Sequence, residues 1–232
     1  MTSSPDEHKR LAGEAAAGLV ESGMIVGLGT GSTSAWFVRA LARRMTEEKL
    51  DVRGVPTSMA TKNLAEVLAI PLLALNQVEI DLTVDGADEV GPGLALIKGA
   101  GAALLHEKLV WEASRRCVVI ADAAKRCKQL GRSPLPIEVV AFGHESTCRR
   151  LTDALSDCDI GIPPRLRIRD GEVVITDSGN LIYDVVCGAI PEPAMLADAL
   201  KSVTGVVDHG LFLDLADEAL IAGDAGVERL SP

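Results

Sequence analysis

The sequence predicts an α/β protein with a doubly wound, mainly parallel sheet and a second, smaller ferredoxin-like α+β domain. Short apolar runs ending in glycine or charge alternate with helical segments up to about residue 125, as buried parallel strands and crossover helices do. From Gly131 the order becomes β-α-β-β-α-β, near the ferredoxin-like motif. A last apolar run, 219–222, is expected to rejoin the first sheet. We therefore assign residues 1–130 plus 213–232 to the first domain and 131–212 to the second.

In the first domain, an Ala-rich segment with Leu11, Ala15 and Leu19 on one face predicts the opening helix. The remaining elements follow from the same alternation of patterns. Helices are expected over 6–21, 34–44, 59–69 and 102–115, and strands over 24–28, 51–55, 82–84, 94–97 and 117–121.

In the second domain, an Asp170-Gly171 turn between two β-prone runs predicts a hairpin. The run 181–186 either extends the second hairpin strand or pairs separately. The other expected elements are a strand in SPLPIEVV, a polar helix over 144–156, hairpin strands 165–168 and 173–176, a helix over 191–203 and a strand over 206–212.

Composition and charge disfavour several functional classes. The formal net charge is −10, which disfavours nucleic acid and anionic membranes as partners. No apolar run approaches the roughly 18 residues of a membrane span. The N-terminal MTSSPDEHKR is charged and lacks the apolar core of a signal peptide. Five cysteines without a C-x-x-C pair indicate a reducing compartment. We expect a cytoplasmic protein, and the scattered histidines predict no metal site.

A glycine turn follows the first strand and precedes a helix. In GLGTGST, the free N–H groups and positive end of the helix favour an anion such as phosphate. The alternative is that Ser32 or Thr33 merely caps the helix. The loop lacks the Lys of a Walker A motif and does not match G-x-G-x-x-G, so ATP and NAD are both disfavoured.

The stretch 81–108 organises the predicted chemistry. Two apolar runs stop at Asp85-Gly86-Ala87-Asp88 and at Lys98-Gly99-Ala100-Gly101. Because ligands of open α/β sheets bind at the carboxyl ends of strands, we expect two carboxylates, an ammonium and a glycine-walled pocket at one edge of one sheet. The two aspartates could also bind a metal or cap a helix, and the lysine could be a surface charge.

The helix that follows carries Glu107. At helical spacing this carboxylate shares an apolar stripe with Leu104, Val110 and Trp111, while Lys108 falls on another face. Burial would disfavour its charged form and suit it to general base work. The alternative is a glutamate at a helix edge with its carboxylate in water.

The ordered motifs GLGTGST, DGADE, KGAG followed by HEK, and IADAAK resemble the A-type ribose-5-phosphate isomerases almost end to end. The resemblance implies an enzyme that interconverts D-ribose 5-phosphate and D-ribulose 5-phosphate in the non-oxidative pentose phosphate pathway. It also implies a Rossmann-like domain with a smaller α/β domain, no cofactor or metal, and assembly as a homodimer or homotetramer.

The same resemblance implies roles for individual residues. Glu107 matches the base that moves the proton through an enediolate. Asp85 and Asp88 match the groups that handle sugar hydroxyls and open the ring, and Lys98 matches the cation that supports the oxyanion. The predicted substrate-binding residues are Thr30, Gly31, Ser32, Thr33, Gly86, Ala87, Gly99, Ala100, Gly101, Lys125 and Lys9. Lys9 could instead be a solvated surface lysine.

The sequence departs from the family pattern in two places. Ala100 stands where the family often has a third glycine, and Leu105-His106 replaces a common Thr-Arg before Glu107.

Two other functions are compatible with such a fold: a sugar-phosphate-sensing effector domain, and a CoA transferase or related acyl enzyme. A sensor would normally carry a DNA-binding segment, but only about twenty residues precede the first strand. A CoA transferase would need a nucleophilic glutamate and a CoA site.

Overall fold

A computed structural model of the chain describes residues 4–76 and 78–232. Residues 1–3 of the charged N-terminal segment and Gln77 lie outside the described residues. The helices are α1 (Pro5–Ala17), α2 (Ser32–Glu47), α3 (Met59–Val67), α4 (Leu104–Glu112), α5 (His144–Asp157) and α6 (Pro193–Ser202). The strands are β1 (Ile25–Leu28), β2 (Arg53–Pro56), β3 (Leu82–Gly86), β4 (Glu89–Val90), β5 (Leu96–Ile97), β6 (Cys117–Asp122), β7 (Leu135–Val139), β8 (Arg165–Leu166), β9 (Ile168–Arg169), β10 (Glu172–Val173), β11 (Leu181–Val185), β12 (Val206–His209), β13 (Leu211–Phe212), β14 (Glu218–Gly223) and β15 (Gly226–Leu230). Within the described ranges, no helix combines the length and apolar character that a membrane crossing requires.

The chain forms two compact units. The first comprises Met1–Ala87, His106–Arg126 and Asp214–Pro232, and the second comprises Asp88–Leu105 and Cys127–Leu213. This division differs from the predicted domains mainly in the segment 88–105, which the sequence places in the first domain. The reason is that β4 and β5 of this segment pair with each other and with β13, which also belongs to the second unit.

The first unit is built on a sheet with the strand order β15-β14-β6-β3-β1-β2. Its strands pair in parallel except for β15, which is antiparallel to β14. The six residues of β6 are all buried, as expected for a strand covered on both faces. Strand residues Leu28, Val84 and Ile120 pack in one core with Phe37 and Leu41 of α2. The predicted α/β class with a mainly parallel sheet is confirmed.

The register brings three strand ends to one edge of this sheet. Leu28 at the end of β1 lies opposite Val84 of β3, and Gly86 at the end of β3 lies opposite Ile120 of β6. The loops after β1, β3 and β6 therefore emerge side by side, at the edge where parallel sheets bind ligands.

The second unit contains a four-stranded antiparallel sheet with the order β12-β7-β11-β8. Its elements run β7, α5, β8, β11, α6 and β12, which is the predicted β-α-β-β-α-β order. The run 181–186 pairs separately, because β11 lies between β7 and β8. Strands β9 and β10 form a hairpin at the predicted turn. Asp170 and Gly171 both have positive φ there, 53° and 84°, as a two-residue hairpin turn requires. The first predicted hairpin strand, 165–168, is divided, because its residues Arg165–Leu166 (β8) pair with β11 instead.

Two strand predictions were wrong. The run 94–97 was expected to continue the parallel sheet, but β5 pairs antiparallel with β4 and β13 in a separate three-stranded sheet. The run 206–212 was expected to be one strand, but it is divided at Gly210 into β12 and β13. A side chain at Gly210 would come within 2.2 Å of the Lys98 carbonyl oxygen. This position therefore requires a glycine where the chain passes from one sheet to the other.

A buried carboxylate with two partly exposed arginine partners is expected to make the first unit sensitive to acid. Glu218 of β14 accepts hydrogen bonds from Arg116 at 2.6 Å and from Arg229 at 2.7 Å. Burial alone would raise the pKa of Glu218, but these hydrogen bonds outweigh it and hold the pKa below its usual value. In the unfolded chain Glu218 binds a proton at a higher pH than in the folded protein. Ionised Glu218 therefore stabilises the folded protein near neutral pH, and this stabilisation is lost on acidification.

We expect Glu218→Gln to lower the free energy of unfolding at pH 7, with the difference from the wild type shrinking as the pH falls below the ordinary glutamate pKa of 4.5. Urea unfolding of both proteins at several pH values measures this. A difference that stays constant with pH would contradict the assignment.

Candidate active site

The candidate residues are divided between the two units. The first unit contains the glycine loop (residues 29–33), Asp85, Glu107, Lys125 and Lys9. The second unit contains Asp88, Lys98 and the second glycine turn (residues 99–101). The prediction that the aspartates and the lysine follow strands of a single sheet is wrong. Asp85 lies in β3 of the parallel sheet, whereas Lys98 follows β5 of the three-stranded sheet.

Thr30 anchors the loop that follows β1. Its hydroxyl oxygen lies 2.7 Å from the Thr57 hydroxyl, 2.8 Å from that of Ser58 and 3.1 Å from that of Thr61. Its backbone N–H donates to Asp85 Oδ1 at 3.0 Å. The hydroxyl groups at the end of β2 and the start of α3 therefore fix the loop from one side, while β3 fixes it from the other.

The N-terminus of α2 faces solvent beside this loop. Gly31 precedes the helix with a φ of 109°, and within the described residues no side chain caps it. Gly31 and Ser32 are exposed. The alternative that Ser32 or Thr33 caps the helix is therefore wrong. The first-turn amides keep their hydrogen-bonding capacity, and the positive helix end adds to it, so this loop can bind an anion.

Asp85 is completely buried and holds the same loop in shape. Its Oδ1 accepts from Thr30 N at 3.0 Å, Ser34 Oγ at 3.1 Å and Gly86 N at 2.7 Å. Gly29 packs so closely that a Cβ there would lie 2.2 Å from the same oxygen. The Asp85 carboxylate thus helps to fix the structure of the loop over residues 29–33, which we call the anion loop.

Glu107 lies on α4 and is only 4% exposed, so the alternative of a carboxylate in water is wrong. Trp111, one turn further on the same face, donates Nε1–H to Asp85 Oδ2 at 3.4 Å. This contact directs the Glu107 face of the helix towards the end of β3. Lys108 is also buried, although its spacing placed it on another face.

The second unit supplies a carboxylate and a cation. Asp88 is half-buried, and its Oδ2 accepts from Ala100 N at 2.9 Å. Lys98 is 2% exposed, which excludes a surface charge. Its backbone N–H donates to Gly210 O at 2.9 Å, and its Nζ lies 5.4 Å from the Phe212 ring centroid. A cation over an aromatic face is attracted by the electron-rich face of the ring.

The turn after Lys98 requires a glycine at its first residue. Gly99 has a φ of 110°, and a Cβ there would lie 2.7 Å from Pro136 Cγ. Ala100 and Gly101 are exposed. Since the Ala100 side chain is exposed, the methyl group that distinguishes this sequence from a third glycine is accommodated without displacing the core.

The two predicted phosphate-side lysines lie in the first unit. Lys125 ends a short 3-10 helix directly after β6 and is half-buried. Asp122 Oδ1 accepts from Ala124 N at 3.0 Å at the start of this helix. Lys9 lies in the second turn of α1 and is half-buried. Asp6, in the first turn, accepts from Trp36 Nε1 at 3.4 Å, so the beginning of α1 lies beside the beginning of α2.

Several residues of these groups were missed from the sequence. Ser34 and Trp111 bind Asp85, and Arg167 contacts the carbonyl groups of the second glycine turn. The signal for Trp111 was available, because it stands four residues after Glu107 on one helical face. Arg167 had no local signal. In the described part of the chain, no cluster of three or more His, Cys, Asp or Glu side chains could hold a metal ion.

Comparisons with known proteins point to one family. The sequence model described as ribose 5-phosphate isomerase A (phosphoriboisomerase A) matches residues 53–226. Ribose-5-phosphate isomerase A of Caulobacter sp. (strain K31) is 68% identical over 230 residues, covering 99% of this chain and 100% of that protein.

Solved structures are similar over the whole chain. Ribose 5-phosphate isomerase from Plasmodium falciparum has a TM-score of 0.93 at 37% identity, covering 98% of this chain and 99% of that one. A D-ribose-5-phosphate isomerase in complex with phospho-erythronic acid has a TM-score of 0.92 at 36% identity, covering 99% and 100% of the two chains.

Proposed function

The chain belongs to the ribose 5-phosphate isomerase A family and is an isomerase of ribose 5-phosphate and ribulose 5-phosphate; for this reaction we propose the following roles for its residues. The observation that carries the proposal is the buried Glu107 on the helix that Trp111 ties to Asp85. The sensor alternative is not favoured, because the relatives that match the full chain are isomerases.

Glu107 is the proposed base. It takes the proton from C2 of open-chain ribose 5-phosphate, and the electron pair forms the C1–C2 double bond of an enediolate while the C1 carbonyl oxygen becomes negative. Glu107 then returns the proton to C1. The C2 hydroxyl loses its proton to become the carbonyl group, and O1 gains a proton to become a hydroxyl, which gives the ketose. A positioned base contributes roughly 10²- to 10⁴-fold to such a step.

Lys98 is the proposed cation for the developing oxyanion. A cation or donor at that oxygen typically contributes about 3 kcal/mol of transition-state stabilisation. The burial of Lys98 supports this role, because a charge acts more strongly where water is excluded.

Asp88 is the better candidate for opening the sugar ring. It is half-buried, whereas Asp85 is fully enclosed and accepts several hydrogen bonds from the protein. We therefore propose that Asp88 exchanges protons with the sugar hydroxyls, and that Asp85 acts mainly by holding the anion loop and α4 in place.

The phosphate group is proposed to bind at the first glycine loop. The amides of Gly31, Ser32 and Thr33 lie at the start of α2. Thr30, whose own N–H donates to Asp85, holds the loop in place, and Lys125 and Lys9 add positive charge. The backbones of Gly86, Ala87, Gly99, Ala100 and Gly101 complete the proposed substrate-binding set. Phospho-erythronic acid, bound by the similar structure, joins a carboxylate to a phosphate through a hydroxylated chain, which is the ligand chemistry this set would accept.

We propose that the enzyme works without a cofactor or metal. Ketose formation from ribose 5-phosphate, followed in the presence and absence of a chelator, is expected to proceed at the same rate. The general base and Lys98 supply the functions that a metal would otherwise supply. Loss of activity with the chelator, restored by a divalent cation, would contradict the metal-free mechanism but not the reaction.

The cellular setting is also a proposal. We propose a cytoplasmic homodimer or homotetramer in the non-oxidative pentose phosphate pathway, whose partner is the sugar phosphate and which binds neither nucleic acid nor membranes. The net charge of −10 supports the absence of polyanionic partners.

A further inference from the structure

Two carbonyl groups of the second glycine turn face one side chain. Arg167 Nη1 donates to Gly99 O at 2.8 Å and to Ala100 O at 3.3 Å. Arg169 Nη2 also donates to Ala100 O, at 3.2 Å. Arg167 lies between β8 and β9, so these contacts cross from a segment nearly seventy residues away in the chain.

A half-buried carboxylate holds Arg167 itself. Its Nε donates to Asp184 Oδ2 at 2.7 Å and its Nη2 to Asp184 Oδ1 at 2.5 Å. The side chains of Arg167 and Asp184 are 11% and 23% exposed. Such a two-point pair fixes the plane of the guanidinium group as well as its position. Asp184 lies in β11, which is hydrogen-bonded on both sides, so the pair is anchored in the sheet.

Fixing these carbonyls also fixes the amides on the opposite side. In a planar trans peptide the C=O and the following N–H point in opposite directions. With Gly99 O facing Arg167, the Ala100 N–H points away from it, to Asp88 Oδ2 at 2.9 Å. With Ala100 O facing Arg167, the Gly101 N–H likewise points away from the guanidinium.

We propose that Arg167, held by Asp184, is a positioning residue for the isomerase reaction. It orients two peptide groups of the turn, and through Ala100 N–H it orients the Asp88 carboxylate. In this proposal, Arg167 binds the carbonyl side of the turn and fixes the direction of the amides on the other side, where the sugar is proposed to bind. This inference rests on the roles proposed above for Asp88 and residues 99–101.

The test compares Arg167→Ala with Arg165→Ala. Arg165 is exposed and stands two residues earlier on β8, so its replacement is the matched control. For Arg167→Ala we expect KM to rise about 10-fold with a smaller change in kcat, because the turn binds substrate and transition state alike. A merely structural role would reduce the fraction of folded enzyme, which lowers kcat and leaves KM unchanged.

Amide hydrogen exchange gives a readout that does not depend on activity. In Arg167→Ala, exchange at Ala100 N–H should become faster by at least about 10-fold, and the control should match the wild type. Unchanged exchange, or a lower kcat at constant KM, would overturn the proposal. An inactive wild type would instead refute the proposed function, and the exchange result would still decide whether Arg167 orders the turn.

Arg167→Lys covers the case in which the alanine variant does not fold. Lysine keeps the charge but cannot bind Asp184 at two points. We expect a folded protein with faster exchange at Ala100 and a raised KM. A wild-type KM together with wild-type exchange in this variant would contradict the need for a fixed guanidinium plane.

Discussion

Glu107→Gln is expected to lower kcat by roughly 10²- to 10⁴-fold, since the amide cannot accept the C2 proton. KM should change little, because the amide has nearly the same shape and polarity as the carboxylate. Steady-state assays with ribose 5-phosphate measure both constants. Exchange of the C2 proton with solvent deuterium, followed by NMR, should also stop, since it reports the proton-transfer step directly.

Glu112→Gln on the same helix is the matched control. Glu112 is exposed at the end of α4, and the same change there should leave both constants near their wild-type values. If Glu107→Gln retained wild-type turnover, the base would have to be another residue.

Asp85→Ala is expected to have the largest effect on stability. Removing the carboxylate takes away the Asp85 oxygens that accept from Thr30 N–H, Ser34 O–H and Trp111 Nε1–H. Gly86 N–H also loses a contact with Asp85 but keeps Ser34 Oγ as an acceptor. Buried donors that lose their acceptor are costly, so we expect the free energy of unfolding to fall by about 3–5 kcal/mol. Denaturant unfolding measures this loss, and activity should fall with it.

Asp85→Asn separates charge from shape. The amide oxygen can still accept the three hydrogen bonds made by Oδ1, but the amide nitrogen would face the Trp111 donor. The expected destabilisation is smaller, about 1–2 kcal/mol. An alanine variant as stable as the asparagine variant would mean that the hydrogen bonds to this carboxylate contribute little to the anion loop.

Local patterns were sufficient to predict the parallel sheet and the edge at which the ends of β1, β3 and β6 meet. β1, β3 and β6 are short apolar runs that end in glycine or acid, and this pattern depends only on burial and chain reversal. The positions of Glu107 and Trp111 on one helical face could also be predicted, because residues four apart lie on the same side of a helix. These features arise within about ten residues of sequence, where periodicity carries most of its information.

Pairing between distant segments could not be predicted. β5 is two residues long, and its antiparallel partner β13 lies more than a hundred residues away, so its apolar run looked like any buried strand. The contact of Arg167 with Gly99 has the same origin, since nothing near either residue in sequence identifies the other. β15 was also missed, because most of its residues are exposed and show no apolar alternation.

The path of the chain between the two units has a consequence for biosynthesis. β14 pairs with β6, so the first unit cannot finish its sheet until almost the whole polypeptide has left the ribosome. Until then, β6, whose residues are buried in the finished protein, has an unpaired edge that could join strands of other nascent chains. Loss of even the last twenty residues would therefore be expected to cause aggregation of the product rather than a shorter working enzyme.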